Sequence, residues 1–268
     1  TICFMFIGVA SGFAEPFSFA ESLPKHTWEL GTEISHITYK EPGVMKEKGM
    51  MYGVNFSYTY RGWLPPADPE VDNCMGKIEG RVSWGEVDYK NSGTLNDVED
   101  YMLEFRGLVG YDFSVLKAST ITPYIGIGYR YLNDDMSGRT TSTGAWGYER
   151  EITYGYIPMG IEMMTDLESK WSIGVTLEYD YFWDGTVKSH LGDVPGYYDI
   201  ENDQDSGYGC RGSIKLQKKG NKINFVIESF VRYWNIKKSN YTTDPLGITW
   251  YEPKNNSMEF GVKFAARF

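Results

Sequence analysis

The chain has 268 residues and a formal net charge of −10, with 21 Tyr, 14 Phe, 8 Trp and 30 Gly. The acidic balance, uninterrupted by any basic patch, excludes a nucleic-acid partner. Of three cysteines only Cys74 and Cys210 lie beyond the first fourteen residues, which excludes a disulfide framework. No capped helical pattern persists for three turns, so the aromatic, glycine-punctuated composition predicts β structure.

The opening stretch TICFMFIGVASGFA carries no charge and ends in the small-x-small triplet Gly12, Phe13, Ala14. It reads as a signal peptide over residues 1–14, with residues 15–268 as the mature domain. No segment approaches the roughly 18 to 20 consecutive apolar residues that a membrane-spanning helix needs.

Strict alternation then recurs down the chain, the signature of strands with one apolar face. The first segment sets Trp28, Leu30, Thr32 and Ile34 against Glu29, Gly31, Glu33 and Ser35. The second sets Tyr52, Val54, Phe56, Tyr58 and Tyr60 against Gly53, Asn55, Ser57, Thr59 and Arg61, and the third sets Ile78, Gly80, Val82 and Trp84 against Lys77, Glu79, Arg81 and Ser83. Tyr101 to Phe113 and Ile125 to Tyr131 supply the fourth and fifth. The sixth breaks phase: Ile152, Tyr154 and Tyr156 share one parity, Ile157, Met159, Ile161 and Met163 the other, which predicts a β-bulge near Pro158. Trp171 to Trp183 is the seventh, Tyr208 to Leu216 the eighth, Ile223 to Tyr233 the ninth and Met258 to Phe268 the tenth.

The connections alternate too. EPGVMKEK, KNSGTLNDVED and residues 133–149, 185–206 and 237–256 are long or polar, whereas LKAST, TDLESK and KKGNK are short. Long loops at one end and tight turns at the other predict an all-β, antiparallel up-and-down transmembrane β-barrel of ten strands, with eight or twelve as alternatives. The segment WLPPADPEVDNCMG, 63–76, is too long for a turn and is either a periplasmic excursion or a misplaced strand.

Alternation alone does not say which face is outside, because a soluble barrel and a membrane barrel are inside-out versions of one pattern. The polar face decides, since its Gly and Ser suit a confined interior. It carries ten acids (Glu29, Glu33, Glu79, Glu104, Asp112, Glu162, Glu178, Asp180, Glu228, Glu259) and ten bases (Arg61, Lys77, Arg81, Arg106, Arg130, Arg211, Lys215, Arg232, Lys263, Arg267). Enclosed charges must pair to offset their desolvation. The expected lumen ion-pair residues are Glu33, Arg61, Glu79, Arg81, Glu104, Arg106, Arg130, Glu162, Glu178, Arg211, Glu228, Arg232 and Lys263. Two aromatic girdles are expected, Trp28, Trp63, Trp171 and Phe268 at one interface and Tyr39, Tyr101, Tyr131, Tyr181, Trp183 and Tyr208 at the other.

The signal-like start, the turn-and-loop rhythm and the final strand SMEFGVKFAARF resemble bacterial outer-membrane β-barrel proteins, in the size class of omptin proteases and small adhesins. The resemblance implies Gram-negative outer-membrane localisation, contact with the lipid bilayer and lipopolysaccharide, and a monomer. It also implies recognition by the barrel assembly machinery through Phe260, Val262, Phe264 and Phe268. Omptins hold an Asp pair opposite an Asp–His pair; here Asp97, Glu99, Asp100 and His190 lie in comparable loops, but the residue two before His190 is Lys188, so the orienting acid is missing. Asp199, Glu201, Asp203 and Asp205 lack the order of an EF-hand loop and read as a surface cation cluster or as one face of a strand. No cofactor or catalytic pattern emerges. The expected function is a charge-plugged barrel whose surface loops serve interaction, adhesion or envelope structure with an unknown extracellular partner; a small porin-like channel and an omptin-like protease are the alternatives.

Overall fold

The structure, a computed structural model, describes residues 23–62, 74–116, 118–167 and 170–268. The expected signal peptide and Trp63 lie outside the described residues. Ten long antiparallel strands form a closed barrel. They are β1 His26–Glu41, β2 Met45–Arg61, β3 Cys74–Asn91, β4 Gly93–Tyr111, β5 Ser119–Asp135, β6 Glu149–Asp166, β7 Trp171–Ser189, β8 Gly207–Lys218, β9 Asn224–Ile236 and β10 Asn255–Arg267. Each pairs with its neighbour in sequence, and β1 closes against β10 from Glu29↔Arg267 to Lys40↔Asn256. Just beyond that register Trp28 and Phe268 exchange backbone hydrogen bonds of 2.7 and 2.9 Å, so no edge is left open there.

The strands are longer than the alternation in sequence suggested. EPGVMKEK is not a loop: the amide of Val44 donates to the carbonyl of Glu41 at 2.8 Å, Pro42 and Gly43 take the corners with Gly43 at φ +83°, and the chain re-enters the sheet at Met45. KNSGTLNDVED likewise turns at Ser92 and is strand on both sides. The acidic run after Tyr198 is partly strand, since Ile200–Gln204 pairs with the outer end of β7 from Ser189↔Ile200 to Gly185↔Gln204.

Hydrophobicity changes sides along the strands. On β3, Ile78, Val82 and Trp84 point out of the barrel, but further up Val87 is buried while Glu86 and Asp88 are exposed. On β9, Ile227 and Val231 face out and Trp234 and Ile236 face in. The outward apolar band, bordered by Trp28, Tyr58, Tyr60 and Phe268 below and by Tyr52, Trp84, Tyr101, Tyr131, Trp183 and Tyr208 above, is the height at which lipid replaces water. Above it the outer wall meets water, and the apolar side chains turn inward as in any soluble core.

That reversal corrects two expectations. No extra residue interrupts β6 near Pro158: Ile152, Tyr154 and Tyr156 are buried and Met159, Ile161 and Met163 exposed in one uninterrupted alternation. The bulge lies across the ladder, where Gly155 opposes Asp184 and Tyr156 opposes Phe182, leaving Trp183 as the extra residue of β7. It sits where β7 stops pairing with β8 and begins pairing with Ile200–Gln204. Tyr39 does not join the outer girdle either; it is 4% exposed inside the barrel, its hydroxyl donating to Glu41 at 3.1 Å.

Candidate functional site: the lumen and the outer rim

Inward side chains stack in tiers. In the lower half, Arg81 of β3 donates through Nη1 to Glu33 (2.9 Å), through Nη1 and Nη2 to both carboxylate oxygens of Glu259 (3.0 Å each), and through Nε to Glu104 (2.8 Å). Arg232 reaches Glu33 from the β9 wall at 3.2 Å. Arg211 grips Glu104 at 2.5 and 3.0 Å and Asp180 at 2.8 Å, and lies 3.1 Å from Glu178. Arg106 bridges Glu178 at 2.5 Å and Glu79 at 2.6 Å.

The chain of contacts continues downward from Glu79 to Lys77 (2.5 Å), on to Glu162 (4.0 Å), and through Lys215 (3.7 and 3.9 Å) to Glu228. Lys263 joins Glu228 at 2.7 Å to Glu29 at 2.8 Å, and Arg267 ends the run on Glu29 at 3.0 Å. Arg61 pairs separately with Asp112 at 2.7 Å. Of the thirteen lumen residues named from sequence, Arg130 has no carboxylate partner among the described residues. Its guanidinium lies instead 5.8 Å from the ring centre of Tyr154 and 5.7 Å from that of Trp234.

Above these charges lies an apolar tier of Met51, Met102, Tyr156, Phe182, Trp234 and Ile236, all buried. The tiers are joined by Tyr156, whose hydroxyl donates to Glu104 at 2.7 Å while its ring packs edge-on to Trp234 at 5.0 Å. The inward glycines make room for these rings: a Cβ on Gly128 would meet the Tyr156 ring at 2.2 Å, and one on Gly160 the Tyr124 hydroxyl at 2.4 Å. The space left in the lower lumen is a cavity of about 140 Å³ lined by the charged residues.

A further set of inward charges near the outer end was not named from sequence. Arg150 donates to Glu41 at 2.6 Å and to Glu252 at 2.5 Å, and its guanidinium lies 5.5 Å from the Tyr39 ring centre. Glu252 belongs to the segment joining β9 to β10, and its carboxyl is pushed up to about 8 by burial and by Glu41, against the opposing charge of Arg150. Glu47, Asp100 and Asp134 are also buried, each with an unpartnered carboxylate oxygen. Their stretches read as loops in the sequence, so no lumen face was assigned to them; the signal available was the Pro42–Gly43 turn. Arg150, Glu41 and Glu252 line a second cavity of about 260 Å³ that also touches Tyr89, Tyr148 and Trp250.

The rim is aromatic. Tyr241 and Tyr251 meet at 5.4 Å with Lys238 over both rings, Tyr197 lies 6.0 Å from Trp250, Leu246 and Ile248 are exposed between Tyr241 and Tyr251 in sequence, and exposed Trp146 lines the same cavity as Trp250 and Tyr251. On the outer wall, His190 lies between Glu151 (Nε2 to Oε2, 3.0 Å) and Asp199 (Nδ1 to Oδ2, 3.5 Å). No ion pair among the described residues joins His190 to Asp97, Glu99 or Asp100. Cys74 and Cys210 are both free thiols.

No protein-family model matches the sequence, and no curated protein matches it. Solved structures do. The outer membrane protease OmpT of Escherichia coli superposes with a TM-score of 0.67 at 11% identity, covering 93% of this chain and 99% of that one. The fold is that of a bacterial outer-membrane β-barrel. The translocator domain of autotransporter NalP from Neisseria meningitidis matches with a TM-score of 0.45 at 10% identity, covering 91% of this chain and 89% of that one. The attachment invasion locus protein Ail of Yersinia pestis matches at 0.33 and 9% identity, covering 91% and 100%. At such identities the likeness concerns the outer-membrane barrel fold alone, and the activities of these proteins do not transfer with it.

Proposed function

We propose that this protein is a sealed barrel of the bacterial outer membrane whose work is done by its outer rim, as a surface interaction or adhesion module. The observation that supports this reading is the filling of the lumen. The ion-pair tier carried by Arg81, Glu104 and Arg211 is capped by the tier of Tyr156, Phe182 and Trp234, which removes the open path a porin needs. What remains available to a partner is the aromatic rim, where Tyr241 and Tyr251 stand exposed above the height of the lipid band. In this reading the lumen charges are a structural plug, and Phe260, Val262, Phe264 and Phe268 serve membrane assembly through the barrel assembly machinery. The barrel acts as a monomer among lipopolysaccharide.

Two measurements test it. Single-channel recording in planar bilayers is expected to show no large steady conductance; such a conductance overturns the sealed-barrel reading. Arrays of proteins and glycans probed with the barrel in nanodiscs are expected to show binding that Tyr241→Ser with Tyr251→Ser removes. Binding equal in the variant and the native barrel overturns the role of the rim.

A further inference from the structure

On the outer wall just above the girdle, the start of β6 and the end of β7 bring two carboxylates and an imidazole together. Ligand atoms of Glu149, Glu151 and His190 all lie within 4.8 Å of one another. The closest pair, His190 Nε2 and Glu151 Oε2, is 3.0 Å apart. Zinc binds nitrogen and carboxylate oxygen at roughly 2.0 to 2.2 Å in a tetrahedron, whose ligand-to-ligand edges are then roughly 3.4 Å. Only a small side-chain closure separates this arrangement from that geometry.

The surroundings hold the three groups for such a role. The Tyr131 hydroxyl donates to Glu151 Oε1 at 2.7 Å, and the Asn133 amide donates to Glu149 Oε1 at 2.7 Å. Each carboxylate therefore has one oxygen tied by β5, and the second oxygen of Glu151 faces the imidazole. Without a metal the imidazole donates from Nε2 to Glu151 at 3.0 Å; a cation that displaces this hydrogen leaves the Nδ1 hydrogen directed at the Asp199 carboxylate 3.5 Å away, the arrangement that recurs behind metal-bound histidines. Asp199 is itself positioned by the Gly192 amide, which donates to its Oδ1 at 2.9 Å. The backbone fixes the spacing, since the His190 amide donates to the Glu149 carbonyl at 2.9 Å. The nearest cation, Lys188, lies 3.8 Å from Glu151 Oε2 with a side chain 41% exposed, free to swing into water.

We propose that Glu149, Glu151 and His190 form a three-ligand site for a divalent transition cation of the zinc class, with its remaining position open to solvent. One nitrogen and two carboxylate oxygens are too few and too mixed for calcium, which takes six to eight oxygens. Binding would tie the loop after β7 to the wall formed by β5 and β6. The site is independent of the rim reading and stands or falls separately from it.

The test is calorimetry with zinc chloride on the metal-stripped, untagged barrel in nanodiscs, in excess magnesium so that carboxylate-only surface sites are occupied. One stoichiometric site is expected, with affinity falling at least tenfold in His190→Ala and in Glu151→Gln and less in Tyr131→Phe. Heat-modifiable gel migration confirms that each variant is folded. The other histidines do not confuse the result: His26 is bonded to Tyr58 at 2.8 Å and His36 stacks on Phe260. Absence of zinc binding, its suppression by magnesium, or unchanged affinity in both His190→Ala and Glu151→Gln would each overturn the site.

Discussion

Arg81 and Glu259 face each other across the closing seam of the barrel, joined by two parallel hydrogen bonds of 3.0 Å. The same guanidinium also meets Glu33 and Glu104, and with Arg232 on Glu33 and Glu259 and Arg211 on Glu104 it offsets three carboxylates whose side chains are nearly inaccessible to water. Removing a partner from such a cluster leaves charge uncompensated, a loss of about 3 to 5 kcal/mol. Arg81→Met is expected to destabilise the folded barrel by about that amount in urea titrations from lipid vesicles. Adding Glu259→Gln is expected to recover part of the loss, because the pair is coupled. A single variant within about 0.5 kcal/mol of the native barrel would show that water, not Arg81, satisfies these acids.

Leu177 sits midway along the outward face of β7, between Val175 and Tyr179, with 66% of its surface exposed. In water such exposure would be a liability; in the middle of the apolar band it is contact with lipid. Leu177→Arg is expected to weaken folding into vesicles by about 2 to 4 kcal/mol, the depth-dependent cost of a cation at the bilayer midplane. Unchanged folding with this substitution would place the lipid elsewhere on the wall.

Glu252 links the outer segment between β9 and β10 to Arg150, and its backbone is tied to Ser239 by bonds of 2.7 and 3.0 Å. Its carboxyl is raised from the ordinary 4.5 to about 8, so the docked segment holds a proton that the undocked one releases. Docking is therefore expected to weaken as pH rises from 4.5 toward 8 and to level off above it. Hydrogen exchange over residues 237–254 should follow that course in the native chain and lose this component in Glu252→Gln. The same slope in both proteins would assign the titration to another group.

Much of the lower barrel was legible because two solvents impose opposite demands on alternate residues. Lipid outside and a narrow polar lumen inside separate Phe260, Val262 and Phe264 from Glu259 and Lys263 at every second position, and the tenth strand shows it directly. The upper barrel was harder to read for the same physical reason. Once β3 and β6 leave the bilayer, water takes the outside, so Val87 and Ile152 turn inward and the apolar parity reverses without any change in backbone. The change of apolar parity around Pro158 is a change of solvent and not an extra residue in β6.

The amino-acid sequence by itself determined the class of fold and, for the lower barrel, the outward apolar faces and the charges that share the lumen, because each follows from local periodicity and composition. Which charges meet was decided only by closure. Arg81 and Glu259 are distant in sequence and become partners through the registers that wrap β3 and β10 around one axis, and closure likewise brings Arg130 to the rings of Tyr154 and Trp234. The meeting of Glu149, Glu151 and His190 is of the same kind. Pairing of β6 with β7 sets their spacing, and Tyr131 and Asn133 on β5 set the orientation of the carboxylates, a conjunction of three strands that no single stretch of sequence contains.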